Sequence, residues 1–536
     1  MLCSKASKAS RAIWPIGINS FLSICTMALL EIYLSSIDER RFQVSVTRSP
    51  VGGGSDTCNL PFWQGEQNRH NTIIKILESN GGFRAQDFPE PGEQDWLAEA
   101  NLLIPDGQHF HPAYQQQIGQ RLYQSLFSDN ALNQTFQSAL RLAERDNERL
   151  HLRLKFATNA AERSHLADYP WELLHDGQRF LVLRQIYLSR YIDYEASPPN
   201  LPVQTQLRLL LVSSRPQAPG LAQLPEREQN AIRRGLQRAS DAGTIQLQTL
   251  DSGTLDRLSV YLTDLQDEVP QILHFDGHGV YGKWCQNPLC QLFNPGIKAT
   301  KCRACFGPLP FPKGYLVFEN DSGGPDYVSA TEFAARLPKT ISLVVLSACQ
   351  SGMAIAGKSV FNGAAQALID ERIPAVVAMQ YEVQATAASR FAEQFYRLLG
   401  QKRPLVEALG EGRKWMGVDG DQWYRPVLYL HWHDNAGGQL FAESLLPEAA
   451  VSSRKMQEQS GQEFSGFESH MSQHPPQELK RRQLMEKYEQ TSILYREVMN
   501  RMSYEMNPVT EIKLQRQADD LYRQLEEMDA QLKALE

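Results

Sequence analysis

The pattern of hydrophobic positions alternates between two kinds from residue 207 onward. Short apolar runs of strand length are separated by segments in which apolar residues recur every three or four positions. The predicted strands are 207–212, 245–250, 271–275, 315–319, 341–346, 374–379 and 426–432, and the predicted helices are 225–240, 254–267, 329–337, 359–370 and 385–399. Strands that alternate with helices indicate an α/β fold with a mostly parallel sheet that is covered by helices on both faces.

The segment before this pattern is predicted to be a mixed α+β accessory domain, residues 29–200. It contains two strand-like segments at its start, helical periodicity over 114–148, and strand-like runs at 150–156 and 180–194. We interpret it as a packing scaffold without chemistry of its own. Three prolines between residues 196 and 202 mark a boundary.

The first 28 residues allow two interpretations. Basic residues precede an apolar stretch over 12–34, which resembles a signal peptide or a weak membrane anchor. Pro15, Gly17, Asn19 and Glu31 interrupt that stretch, and no small-residue cleavage site follows it. We favour a mis-called start with the natural one near Met27, and we expect no stable membrane insertion.

The C-terminal region changes to a third pattern. Residues 446–477 are rich in Ser, Gln, Glu and His and are predicted to be a flexible linker. Two heptad runs follow, over 484–502 and 514–535, and Asn507-Pro508 between them is a helix-start signal. We therefore predict an antiparallel helical hairpin at 478–536, either an adaptor that binds partner proteins or a simple dimerising coiled coil.

Charge and cysteine content narrow the class of protein. The 536 residues carry a net charge of -7, and no basic stripe stands out, so we expect no direct binding of nucleic acid. Eight cysteines are too few for a disulfide scaffold of this size. A reducing, cytoplasmic compartment is the expectation.

Two reactive side chains stand beside glycines after predicted strands. His278 lies in the segment HFDGHG, and Cys349 in the segment LSACQSG. If the two strands are neighbours in a parallel sheet, both side chains emerge at its carboxyl edge, where open α/β sheets place their sites. A cysteine nucleophile requires a nearby imidazole, so the pair predicts a cysteine peptidase.

The order of these motifs resembles the CHAT family of caspase-like peptidases over roughly residues 207–441. The matching segments include Ser213-Ser214-Arg215-Pro216, the two motifs just described, and the strand that ends at Gln380. The resemblance implies a caspase-like peptidase domain at 205–445, with Cys349 as nucleophile and His278 as acid-base partner. It also implies an oxyanion hole from the N–H groups of Gly279 and Cys349. Pro170-Trp171-Glu172-Leu173-Leu174 is typical of the accessory region of the family.

The candidates for substrate binding are Arg215, Asp276, Gln380 and Glu382. Arg215 ends the first strand, where caspases hold an arginine that receives an acidic side chain, whereas Asp276 and Glu382 each suit a basic one. An alternative for Arg215 is a salt bridge at the strand end. These candidates conflict, so the cleavage preference stays open.

Four cysteines have metal-ligand spacing. Their pattern is Cys285-x4-Cys290-x11-Cys302-x2-Cys305, inserted at 284–306 directly after the histidine motif. Two thiolate pairs at this spacing predict tetrahedral zinc in a structural zinc knuckle. Because four thiolates leave no open coordination position, we expect no catalysis at the metal. The alternative is four unlinked thiols.

The expected function is that of a bacterial-type cysteine endopeptidase. By resemblance to its family, it acts in defence or programmed cell death and cuts a protein effector such as a gasdermin-like pore former. The C-terminal hairpin loosely resembles effector-associated modules, which implies upstream or effector proteins as partners. The alternative is a non-catalytic scaffold that recruits partners through this hairpin.

Overall fold

The computed structural model describes residues 27–442, with internal gaps, and five residues of the C-terminal region. The gaps are 79–82, 106, 128–129, 159–164, 195–202, 219–220, 222–223, 266–267, 296–298, 311–312, 348–359, 382, 418–421 and 433–434. The chain divides into two units, Met1–Ser444 and Leu445–Glu536. Residues 1–26, the predicted linker and nearly all of the predicted hairpin lie outside the described residues.

The strands of the described residues form three sheets. They are β1 (Leu29–Ser36), β2 (Arg41–Arg48), β3 (Ser55–Asn59), β4 (Trp63–Gln64), β5 (Gln67–Asn68), β6 (Leu150–Ala157), β7 (Ile186–Asp193), β8 (Leu207–Ser213), β9 (Ile245–Thr249), β10 (Ile272–Asp276), β11 (His278–Trp284), β12 (Phe293–Pro295), β13 (Lys313–Glu319), β14 (Pro325–Ser329), β15 (Leu343–Ser347), β16 (Ala375–Met379) and β17 (Pro426–Leu430).

Helices connect most of these strands. They are α1 (His70–Glu78), α2 (Glu93–Glu99), α3 (Tyr114–Phe127), α4 (Asn130–Arg145), α5 (Leu181–Arg184), α6 (Arg227–Asp241), α7 (Leu255–Asp264), α8 (Ala330–Ala335), α9 (Val360–Asp370), α10 (Ala385–Gly400) and α11 (Leu405–Trp415).

The largest sheet has eleven strands in the order β3-β2-β1-β6-β7-β17-β16-β15-β10-β8-β9. Within the described residues, seven of its ten neighbouring pairs are parallel. The predicted α/β class with a mostly parallel sheet is therefore confirmed. Its central strands are buried along their whole length, as in β10 and β15, because helices and neighbouring elements cover such strands on both faces.

The accessory region contributes five strands to this same sheet. Strand β7 lies beside β17 in parallel, with Arg190 opposite Tyr429. The hydrogen-bonded ladder thus continues from the accessory region into the part of the chain that carries the two reactive motifs. One local prediction here needs correction, because the first part of the run 180–194 is the short helix α5. The predicted helical region 114–148 contains the two helices α3 and α4.

A buried charged cluster joins the two regions, and it explains the motif around Glu172. The Glu172 carboxylate pairs with Arg190 of β7 and with Arg413 of α11, and none of the three residues is exposed. Arg413 also donates to the carbonyl oxygen of Pro426, at 2.7 Å from Nη2. Burial lowers the pKa of Arg413 to about 10, although Glu172 opposes this change. The motif is therefore structural.

Helices α6 and α10 approach each other closely on the large sheet. A Cβ atom built on Gly235 of α6 would lie 2.4 Å from the carbonyl oxygen of Glu393 in α10. Only glycine permits this separation. The contact holds α6, which carries Glu228, against the helix that carries Tyr396.

A second sheet, of four antiparallel strands, was not predicted from the sequence. Its order is β12-β11-β13-β14, and β11 begins at His278, directly after β10 ends at Asp276. Glycines at positions 277, 279 and 282 weaken the strand signal in this stretch. Pairing with β13 supplies the strand conformation that the local sequence does not favour.

Candidate functional site

Strands β10 and β15 set the geometry of the site. They are parallel neighbours, and Asp276 at the end of β10 lies opposite Ser347 at the end of β15. The predicted adjacency of these two strands is confirmed. The backbone N–H of Gly277 donates to the carbonyl oxygen of Ser347 at 3.3 Å, which extends the pairing one residue past Asp276.

His278 lies one residue further along, at the point where the chain enters the second sheet. It is 1% exposed and lies opposite Val317 of β13. A Cβ atom on the preceding Gly277 would meet the Phe275 ring at 2.5 Å, so the turn between β10 and β11 requires glycine. Gly279 follows on β11 opposite Leu316. Cys349 lies outside the described residues, two positions beyond Ser347 in the sequence.

Arg215 and Asp276, which the sequence offers as competing substrate-binding residues, bind each other. Arg215 Nη2 pairs with Asp276 Oδ2, and Nη1 donates to the carbonyl oxygen of Asp276 at 2.8 Å. The N–H of Arg215 donates to Glu319 Oε1 at 2.6 Å. Arg215 thus forms a salt bridge at the end of its strand, which agrees with the alternative interpretation of this residue. A quarter of the surface of its side chain is exposed.

A buried polar group around His274, two positions before Asp276 on β10, was missed by the sequence analysis. His274 Nε2 lies 3.3 Å from Glu228 Oε1, and His274 Nδ1 lies 2.8 Å from the Tyr396 hydroxyl. Burial and the Glu228 carboxylate raise the pKa of Asp276 to about 6, although Arg215 and His274 oppose the rise. The carboxyl group of Asp276 therefore takes up a proton more readily than an ordinary aspartate.

Gln380 lies at the end of β16 and is 2% exposed. Its Oε1 accepts from Arg190 Nη2 at 2.9 Å, and its Nε2 donates to the carbonyl oxygen of Asp168. Gln380 therefore connects the end of β16 to the accessory region. Glu382 lies outside the described residues.

The four cysteines of the insertion form one cluster. The Sγ atoms of Cys285, Cys290, Cys302 and Cys305 all lie within 4.8 Å of one another. The separation is 3.3 Å between Cys285 and Cys305 and 3.7 Å between Cys290 and Cys302. A tetrahedron with Zn–S bonds of about 2.3 Å has S···S edges of about 3.8 Å. The cluster therefore fits a metal ion such as zinc.

The surroundings of Cys302 suit a bound thiolate. Backbone N–H groups of Cys305 and Ala304 point at Cys302 Sγ and lower its pKa to about 6. The Asn294 amide lies 3.5 Å from the same sulfur and accepts from the N–H of Arg303 at 2.9 Å. Such an outer shell orients a ligand and stabilises its ionised form.

Among the described helices, none combines the length and the apolar character that a membrane span requires.

Comparison with known proteins identifies two parts of the chain. The CHAT domain matches residues 116–467, and effector-associated domain 9 matches residues 475–535. A search of curated proteins found no match. Among solved structures, the crystal structure of the Saccharomyces cerevisiae separase-securin complex is similar, with 12% identity and a TM-score of 0.32, over 75% of this chain and 30% of that chain. Because the CHAT match covers more than half of its length, the chain belongs to the CHAT domain family of caspase-like peptidases and carries an effector-associated domain at its C-terminus.

Proposed function

We propose that this protein is a cysteine endopeptidase with Cys349 as the nucleophile and His278 as its acid-base partner. The His278 imidazole takes the proton of the Cys349 thiol, and the sulfur attacks the carbonyl carbon of a peptide bond. The imidazole then gives that proton to the leaving amine. Water releases the acyl group and restores the thiol. The N–H groups of Gly279 and Cys349 stabilise the oxyanion.

The pairing of Asp276 with Ser347 carries this proposal. His278 and Cys349 each stand two positions beyond one member of that pair. In parallel strands, residues at equal offsets beyond a registered pair leave the sheet at the same edge. The membership in a family of caspase-like peptidases supports the same assignment.

The substrate pocket is proposed to lie beside the pair of Arg215 and Asp276. Because each already neutralises the other, a charged substrate side chain would compete with an existing ion pair. Gln380 and Glu382 remain the other proposed contacts. The cleavage preference then depends on whether a bound peptide takes the place of Arg215 or of Asp276 in their ion pair.

The metal at the four cysteines is proposed to be zinc in a structural role. Cys285, Cys290, Cys302 and Cys305 would hold it, and the bound ion would supply the cross-link that closes the insertion, which has few large apolar side chains of its own. A complete shell of four thiolates leaves no position for a reacting water, so this site takes no part in peptide cleavage.

The C-terminal domain is proposed to recruit the peptidase to partners. Its match to effector-associated domain 9 supports protein–protein contacts. We propose a cytoplasmic role in bacterial defence or programmed cell death, with a gasdermin-like effector as one class of target. A truncation at residue 450 should lose these partners in pull-downs and keep proteolysis; a truncated protein that binds the same partners would contradict the assignment.

Proteome-wide cleavage tests the central proposal. Purified full-length protein is incubated with a bacterial proteome, and new peptide termini are sequenced. Cys349→Ala and His278→Ala should each abolish the new termini, and the double variant should be no worse, because the two residues act as a unit. Cys3→Ala is the matched control and should keep them.

New termini that persist in Cys349→Ala would refute the mechanism. A wild-type protein that generates none, yet binds partners through its C-terminal domain, would favour the scaffold alternative. That alternative draws its support from the effector-associated domain rather than from the dyad.

A further inference from the structure

The insertion between β11 and β13 is unlike the rest of the chain in charge. Residues 277–318 contain five Lys or Arg and no Asp or Glu, whereas the whole chain has 54 basic and 61 acidic residues. Zinc held by four thiolates contributes about two negative charges. Even with that contribution, the segment has a positive net charge, and it lies within an acidic protein.

The insertion also exposes two large apolar side chains at the tips of its metal-binding turns. Leu289, which precedes Cys290, is 98% exposed, and Phe306, which follows Cys305, is 73% exposed. Because the four sulfur atoms lie within 4.8 Å of one another, the cluster fixes both tips close together. Two large apolar side chains exposed on one small motif are candidates for contact with another molecule.

The backbone conformation of Phe306 indicates that its side chain serves binding rather than folding. Its φ of 58° lies in the left-handed region, where a bulky residue is disfavoured and glycine or asparagine is usual. Burial does not explain the phenylalanine, because its side chain is exposed. A contact with a partner molecule accounts for an aromatic residue at this position.

Basic side chains border the apolar tips. Lys301 and Arg303 are exposed and flank Cys302 in the sequence. Burial raises the pKa of Tyr327, and the charge of Arg303 opposes that rise, so Arg303 lies within electrostatic range of Tyr327. The Tyr327 ring in turn contacts Trp284, with 6.2 Å between the ring centroids. This part of the surface thus combines two exposed apolar side chains, the aromatic pair Trp284 and Tyr327, and two cationic side chains.

This part of the surface lies at a defined distance from the proposed catalytic histidine. Strand β11 runs from His278 to Trp284, the last residue before Cys285. Six steps of about 3.3 Å give about 20 Å between the two ends of the strand. An extended polypeptide spans this distance with about six residues.

We propose that this knuckle surface, formed by Trp284, Leu289, Lys301, Arg303 and Phe306, binds an acidic segment with apolar side chains in the protein substrate. The segment lies about six residues from the bond that is cut. Apolar side chains cover the tips, and carboxylates pair with Lys301 and Arg303. The inference rests on the proposed peptidase function for its substrate, but the surface itself is testable without cleavage.

Binding is measured first, on full-length Cys349→Ala protein, by fluorescence anisotropy. The probes are labelled twelve-residue peptides of Glu with Leu, Lys with Leu, and Glu with Ser, together with a twelve-nucleotide oligothymidine. The Glu-Leu peptide should bind most tightly and weaken with added salt. Failure of that peptide to bind, or tighter binding of the oligonucleotide, would overturn the proposal.

Two surface variants then locate the site. Leu289→Ser/Phe306→Ser and Lys301→Glu/Arg303→Glu should each weaken binding of the Glu-Leu peptide by about tenfold. The matched controls replace exposed residues elsewhere, Val260→Ser and Lys339→Glu, and should stay within about twofold. Metal content and melting temperature confirm that each variant is folded. Equal affinity in all variants would place the binding elsewhere and refute the inference.

Cleavage separates this inference from the proposed function. In the active protein, both surface variants should cut protein substrates about tenfold more slowly and cut a four-residue peptide at the wild-type rate, because such a peptide cannot reach the knuckle. Wild-type protein that binds the Glu-Leu peptide through this surface but cuts nothing would refute the peptidase and retain the surface. Equal loss on both substrates would refute the docking role.

Discussion

Replacing Glu172 by alanine should destabilise the protein more than any exposed charge change. The carboxylate lies between Arg190 and Arg413, and all three side chains are fully buried. Its removal leaves two neighbouring guanidinium groups without a counterion in a medium that solvates charge poorly. Breaking a buried ion pair in this way costs about 3–5 kcal/mol.

Arg413→Met provides the comparison that makes the reasoning specific. It leaves Glu172 and Arg190 as a balanced pair, so no buried charge loses its partner. What is lost is one of the two ion pairs of Glu172 and the hydrogen bond to the Pro426 carbonyl oxygen, which leaves a buried acceptor unsatisfied at a cost of about 1–3 kcal/mol. Arg234→Met removes an exposed pair with Glu393 and should cost less than about 1 kcal/mol.

Urea unfolding followed by tryptophan fluorescence measures the three variants. Trp171 is buried directly beside Glu172 and reports on this region. The shift of the midpoint at an unchanged slope gives the change in the free energy of unfolding. The expected order of cost is Glu172→Ala, then Arg413→Met, then Arg234→Met. Equal costs for the first two, or a cost below about 1 kcal/mol for Glu172→Ala, would refute the account of the cluster.

Two further predictions concern the metal and the response to acid. Cys302→Ser should release bound zinc, detected by elemental analysis, and lower the melting temperature; reduced wild-type protein without zinc would contradict the assignment. Burial lowers the pKa of His70 to about 4 and that of His151 to about 3. These folded-state pKa values lie below the ordinary value of 6.5. The two histidines therefore contribute stability that is fully present above pH 6.5 and is lost as the pH falls towards their folded-state values. His70→Gln should reduce the loss between pH 7 and 4.5 by about 2 kcal/mol, and an unchanged pH dependence would exclude His70 as a source.

The strands that build the candidate site could be predicted from the sequence. Their apolar runs are short, continuous and bounded by glycine or polar residues, so 271–275 and 341–346 fall within a residue or two of Ile272–Asp276 and Leu343–Ser347. The cysteine spacing likewise predicted a cluster that the structure brings within 4.8 Å. These features depend on residues close together in the sequence, so patterns in the sequence predict them.

The second sheet and the ion pair at the site could not be predicted in the same way. Strand β11 is rich in glycine, and its conformation comes from pairing with β13, about thirty positions away. Arg215 and Asp276 stood as rivals in the sequence because nothing local shows that β8 and β10 are neighbours with Ser213 opposite Asp276. The conformation of β11 and the ion pair of Arg215 with Asp276 both depend on strand pairing between residues that are far apart in the sequence.

The accessory region supports the proposed catalytic elements as well as packing against them. The Asp168 carboxylate accepts from Gln366 of α9 at 2.7 Å, and its carbonyl oxygen accepts from Gln380 at the end of β16. Helix α9 begins eleven positions after Cys349, and β16 is the strand beside β15. One turn of the accessory region therefore contacts both the helix that follows Cys349 in the sequence and the strand beside β15. These contacts give the accessory region a structural role in the shared sheet, because they position the elements on which the proposed dyad depends.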